Sequence, residues 1–260
     1  MQVLLLIIIS ILPVFLIGLF IYKKDKQKEP KKILIKLFLA GIGSCFLTLA
    51  MTFGLEALFP IFAADPKELN FGELIINVFI GVALVEETSK WLMTYFVSYK
   101  DSNFDEFYDA ILYCAFVALG FACFENIFYV LEGGISIGIL RALFSVPGHV
   151  CDAVIMGYFL GLAKISDVNN RKNLKRKNIA LSILFPTITH GIYDYCLYAS
   201  NVVFLMVFFI FVICVYVYVI KKIKKVSSID KKFKYKDNFC PNCGRVVDAN
   251  FCPVCGRKND

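Results

Sequence analysis

The sequence predicts an all-α, polytopic helical membrane protein of about seven transmembrane helices, followed by a small C-terminal zinc ribbon. Three observations carry this. The 260 residues are 58% hydrophobic and only 19% charged, below the charge content of ordinary soluble domains. The apolar residues fall in long runs, each able to cross a bilayer. The last stretch holds two C-P-x-C-G pairs, the spacing of a tetrathiolate metal site.

The apolar runs lie at about 3–22, 33–64, 73–99, 110–131, 139–163, 179–198 and 202–220. The first lacks a preceding basic stretch and a following small-residue cleavage site, so it reads as a span rather than a removed signal. Glu132-Gly133-Gly134 marks a turn between the fourth and fifth runs, and Ser200-Asn201 a tight turn between the sixth and seventh. The net charge of +7 is concentrated between and after the spans, at Lys23 to Lys32, Lys164 to Lys177 and Lys221 to Lys225. A membrane-facing role explains it; no aromatic-interleaved basic patch for nucleic acid is present. Alternating the spans puts all three basic segments on one side, which the positive-inside rule assigns to the cytoplasm. The acidic loop 100–109 falls on the same side and counts little in that rule. The expected topology is a cell-membrane protein with its N-terminus outside and its C-terminus in the cytoplasm, over a transmembrane domain 1–225, a linker 226–238 and a ribbon 239–260.

Charges inside the spans require a reason, since each costs about 2.5–3.5 kcal/mol at the bilayer centre on insertion scales. Glu86, Glu87 and Lys90 sit in the third run. Lys90 is three and four residues from the glutamates, so all three share neighbouring helix positions. A self-neutralised ion pair accounts for one glutamate but leaves the other. The fourth run carries Glu125, with Tyr129 one turn away on the same face, a spacing suited to a phenol that orients the carboxylate. Both histidines of the chain, His149 and His190, fall in apolar runs, and Asp194 follows His190 by one turn, a spacing suited to fixing an imidazole tautomer. Asp152 is similarly placed after His149. At a helix rise of about 1.5 Å per residue, these groups come from four spans to the central and outer part of the bilayer. The candidate catalytic residues are therefore Glu86, Glu87, Glu125, His149, His190 and Asp194.

Two chemistries suit them. His149, His190 and Glu125 can hold Zn²⁺ with an open position for water, a further glutamate acting as base. Alternatively, glutamate and histidine activate water without a metal. An ion-coupled carrier, or a non-catalytic immunity or scaffold protein of the same fold, would also use intramembrane carboxylates and histidines; no inverted repeat or matched pair of broken spans supports the carrier.

Glu86-Glu87-Thr88-Ser89-Lys90, Phe124-Glu125-Asn126 with Tyr129, His149, and His190 with Asp194 resemble the PrsW-type intramembrane proteases, over roughly 33–200. These are related to the CAAX prenyl endopeptidases and bacterial immunity-protein relatives. The CAAX branch usually has histidine where this chain has Glu125, which favours the PrsW branch. The resemblance implies an endopeptidase that cuts a single-pass, membrane-anchored protein near the outer face, anti-sigma factors being the substrates of the namesake members. It also implies that Glu86 or Glu87 and the histidines activate water, with or without a metal.

The ribbon stands apart. Cys240, Cys243, Cys252 and Cys255 are expected to bind a structural Zn²⁺ in a reducing cytoplasm. A closed four-sulfur site leaves no open coordination position, so it is a folded cap or a dock for a cytoplasmic protein partner. The other six cysteines lie in apolar runs and read as packing residues.

Overall fold

A computed structural model describes residues 2–228 together with 251, 252, 254 and 255. Helix α1 (Gln2–Lys24) is apolar on every side and contains Pro13. Helix α2 (Lys31–Leu58) begins directly after Pro30. It stops at Leu58 rather than continuing to 64, because Pro60 disfavours helical geometry in the residue before it; a 3₁₀ turn, Pro60–Phe62, follows. Helix α3 (Phe71–Ile76) opens with a capping box in which Asn70 accepts from Glu73 N while Glu73 accepts from Asn70 N. It runs without interruption through a π-helical stretch, Asn77–Leu84, into α4 (Val85–Ser98). Such widened turns recur at functional sites, and this one directly precedes Glu86 and Glu87.

Helix α5 (Phe107–Leu140) is capped by Glu106 and Asp109 and is broken at Gly134, where φ is 74° and ψ −163°. Only glycine adopts that conformation without strain. The chain reverses there, because Arg141 returns to bond Asn126 and Glu125. The expected turn at 132–134 is thus a helical hairpin. A second π-helical turn, Arg141–Ser145, leads into α6 (Val146–Val168). Helices α7 (Lys172–Tyr198) and α8 (Val202–Ser228) complete the described chain.

Three loops differ from their sequence reading for one reason: hydropathy marks where the chain leaves lipid, not where a helix ends. The basic loop 164–177 shrinks to 169–171, since α6 runs on to Val168 and α7 begins at Lys172. The acidic loop 100–109 gives up Asp109 to α5, where it is a buried cap. Helix α8 continues past 220 and takes up the first residues assigned to the linker. Of the ribbon, Cys240 and Cys243 lie outside the described residues, and Cys252 is buried while Cys255 is exposed.

The first arm of α5 is the centre of the bundle. Ala110 to Ala122 is buried almost throughout, with Ala, Gly and Cys letting neighbours approach closely. At the α2–α5 crossing, a Cβ on Gly41 would lie 2.0 Å from Val117 O, and one on Gly120 would lie 2.0 Å from Phe38 O. Close approach through small residues is the usual basis of helix packing in lipid. Leucine, isoleucine, valine and phenylalanine on the outer faces of α1, α2 and α8 are largely exposed, as expected for surfaces facing lipid tails. Four helical stretches among the described residues are long and apolar enough to cross a membrane: Val3–Lys24, Lys31–Leu58, Phe107–Val168 and Val202–Ser228. Phe107–Val168 contains both arms of the hairpin. At the end carrying the 25–30 connection, burial pushes the Glu29 carboxyl up to about 7, assisted by the nearby acids Asp25, Asp105 and Glu106, while the Tyr113 hydroxyl that donates to it acts in the opposite direction.

Candidate active site

The charges of α4 turn inward, not toward lipid. Glu87 and Lys90 are each 1% exposed. Lys90 Nζ donates to Glu87 Oε1 at 2.6 Å and to Glu86 Oε2 at 3.3 Å, lies 3.2 Å from His149 Nδ1, and sits 4.4 Å from the Phe121 ring centroid. A buried ammonium surrounded in this way compensates the glutamates at the depth where each alone would be most costly.

Helix α7 brings His190 to the same point. Its Nδ1 is 2.9 Å from Glu87 Oε1, and its Nε2 is 3.3 Å from Asp194 Oδ2 and 3.9 Å from Glu86 Oε2. Helix α6 supplies His149, whose ring is edge-on to His190 with centroids 5.5 Å apart. His149 Nε2 lies 3.0 Å from Glu125 Oε2 of α5. Glu125 is in turn held by Arg141 Nη2 at 2.7 Å. Six candidates expected from four separate spans therefore meet at one place.

Sequence reading missed Arg141. Its guanidinium bonds Glu125 and Asn126 and stacks 4.2 Å over the Tyr129 ring. Tyr129 therefore meets Arg141 and does not orient Glu125. The signal was available, since one arginine inside an apolar run is as anomalous as the glutamates. Asp152 does not serve His149; its carboxylate accepts from the Thr189 hydroxyl.

A cavity of about 560 Å³ opens beside this cluster, with Glu86, Glu125, His149, His190 and Asp194 in its wall. Glu87 and Lys90 lie behind that wall. The cavity also reaches Lys67 and Leu205, so it lies toward the end of the bundle that carries the 59–70 connection, the Gly134 hairpin and the turn before α8.

The arrangement has the chemistry of a metal centre. Donor atoms of Glu86, Glu87, His149 and His190 all lie within 4.8 Å of one another. Metal-binding histidines characteristically give their second nitrogen to a carboxylate. His149 does so to Glu125 through Nε2 and His190 to Glu87 through Nδ1; the second nitrogens, His149 Nδ1 and His190 Nε2, face Lys90 Nζ at 3.2 Å and Asp194 Oδ2 at 3.3 Å, contacts that an ion bound beside Glu86 would replace. The residues fit a divalent transition ion. Glu125 stands outside the four, since Arg141 and His149 engage it.

A family model described as PrsW family intramembrane metalloprotease matches residues 29–220. The chain is 35% identical over 223 residues to "Protease PrsW" of Oceanobacillus iheyensis, covering 85% of this chain and 97% of that protein. It is 33% identical over 233 residues to "Protease PrsW" of Clostridioides difficile, covering 87% of this chain and 93% of that one. The protein of the same name from Bacillus subtilis is 32% identical over 216 residues, covering 83% and 92%. No solved structure matches significantly. A buried carboxylate–imidazole cluster beside a cavity and a family match across most of the chain lead to one conclusion: the chain belongs to the PrsW family of intramembrane metalloproteases and is an intramembrane peptidase.

Proposed function

We propose that this protein hydrolyses a peptide bond in single-pass, membrane-anchored proteins of the anti-sigma-factor kind, close to the outer membrane face. The observation that carries the reading is the division of labour around the cavity. Glu86, His149 and His190 face it, while Glu87 and Lys90 support them from behind. His149 and His190 are the residues that would hold a catalytic metal, with Glu86 beside them. When bound, such an ion polarises the scissile carbonyl and lowers the pKa of water. Of the adjacent pair Glu86 and Glu87, Glu86 is the one in the cavity wall and is the carboxylate that would take the proton of the attacking water. Glu87 fixes the His190 ring through Nδ1, and Glu125, braced by Arg141, fixes His149.

Seven spans fit the helices. Phe71 to Ser98 is one continuous helix, Gly134 divides the hairpin into two arms, and α7 is long enough to cross. Lysine and arginine concentrate at the end opposite the cavity, which supports a cytoplasmic C-terminus and an outward-facing cavity. The C-P-x-C-G pairs support a structural Zn²⁺ on Cys240, Cys243, Cys252 and Cys255, in a ribbon placed to meet a cytoplasmic protein.

The position of the cut tests the proposal. Purified full-length protein and a single-pass reporter with an anti-sigma-type membrane segment are incorporated into proteoliposomes, and the new N-terminus is read by mass spectrometry. A cut in the outer third of the reporter's membrane segment is expected. A cut on the basic, cytoplasmic side would contradict it.

A further inference from the structure

We infer that the substrate's membrane segment enters laterally, through the seam between the Arg141–Ser145 turn and the N-terminal half of α8. This rests on the cavity being the reaction chamber. Part of the cavity wall is apolar and faces outward: Leu140 is 53% exposed, Leu205 44% and Phe209 45%. In a bilayer those side chains meet lipid, so the chamber holding Glu86 opens sideways into the membrane between two helices. An apolar segment diffusing in that plane reaches the cluster without crossing a polar surface.

The seam is closed by few contacts. Phe144 lies 5.8 Å from Phe208 and 5.9 Å from Phe209, centroid to centroid. Tyr216 OH donates to Leu143 O at 2.9 Å and to Phe144 O at 3.1 Å. Both carbonyls belong to the π-helical turn.

Helix α8 is held unequally along its length. Its C-terminal half joins the main core through Val219, Ile223 and Val226. That end is further tied by Ser227 Oγ to Lys24 O, by Lys26 Nζ to Ser228 O at 2.8 Å, and by Lys222 over the Tyr158 ring at 3.6 Å. Its N-terminal half joins a smaller, separate cluster around Phe208 and Val212, with Phe204 against the Phe71 and Tyr195 rings. The half that borders the chamber can swing while the other end stays anchored. The occupant it admits is a single apolar helix whose juxtamembrane residues unwind against Glu86.

The test is a reversible lock. Phe144→Cys/Phe209→Cys is bridged with short, reducible bifunctional thiosulfonates in membranes of cells making the full chain. Variants carrying only one of the two substitutions, given the same reagents, are controls for reaction at the native cysteines. New N-termini in single-pass membrane proteins are counted, with Glu86→Gln as the blank. Bridging is expected to lower enzyme-dependent cleavage at least tenfold, and reduction to restore it. Tyr216→Phe, which removes the hydrogen bonds across the seam, is expected to raise cleavage at least twofold. Unchanged cleavage in the bridged protein, or no rise in Tyr216→Phe, overturns lateral entry here. Cleavage that survives Glu86→Gln overturns the chamber itself, and the gate with it.

Discussion

Lys90→Met is expected to cost about 3–5 kcal/mol of stability, the penalty of removing one partner from a buried ion pair. The ammonium is the shared counter-charge of Glu86 and Glu87, and both it and Glu87 are almost fully enclosed. Methionine has a similar length and no charge, so packing is largely kept while Glu87 retains only His190 as a partner. Adding Glu87→Gln should recover much of the loss, because the second uncompensated charge is then removed too. The chain's single tryptophan, Trp91, is the neighbour of Lys90 and donates to Ser182 Oγ at 2.8 Å. Its fluorescence in a detergent unfolding series reports the effect. A double variant no more stable than Lys90→Met would show that compensation is not what Lys90 supplies.

Glu86→Gln should lower cleavage about 10²- to 10⁴-fold, the range of general acid–base catalysis, with unfolding close to wild type. Glutamine preserves size and can still accept from Lys90, but it cannot take a proton from water. Glu87→Gln should lose less, about 10- to 100-fold, because Glu87 acts through the His190 ring. Cleavage rates of the two variants at equal folded fraction decide between the roles, and the reverse order would transfer the base to Glu87.

Much of this was legible in the sequence. Apolar runs located the helices, because lipid demands internal hydrogen bonding over a fixed length. Gly134 was legible as a turn because a Gly-Gly pair after a glutamate has few other uses. The six candidate residues could be collected because each is expensive where it stands. The end at Leu58 was legible in Pro60, but those at Val168 and Ser228 were not, since a helix can continue past its apolar part and charged residues are tolerated there. The distinction between Glu86 and Glu87 was also hidden. Adjacent residues on a helix point about 100° apart, and only packing against α6 and α7 shows which one meets the cavity. The two π-helical turns, beside Glu86 and at Arg141, leave no mark in composition.

His149 and His190 hold the metal of one hydrolytic centre in which Glu86 is the base, on the function proposed above. X-ray absorption at the edge of the bound metal tests it most directly, on full-length protein with Cys240, Cys243, Cys252 and Cys255 changed to serine. A nitrogen and oxygen shell at about 2.0–2.1 Å with imidazole scattering is expected, absent when His149 and His190 are both changed to alanine. A shell unaltered by losing both histidines would contradict it.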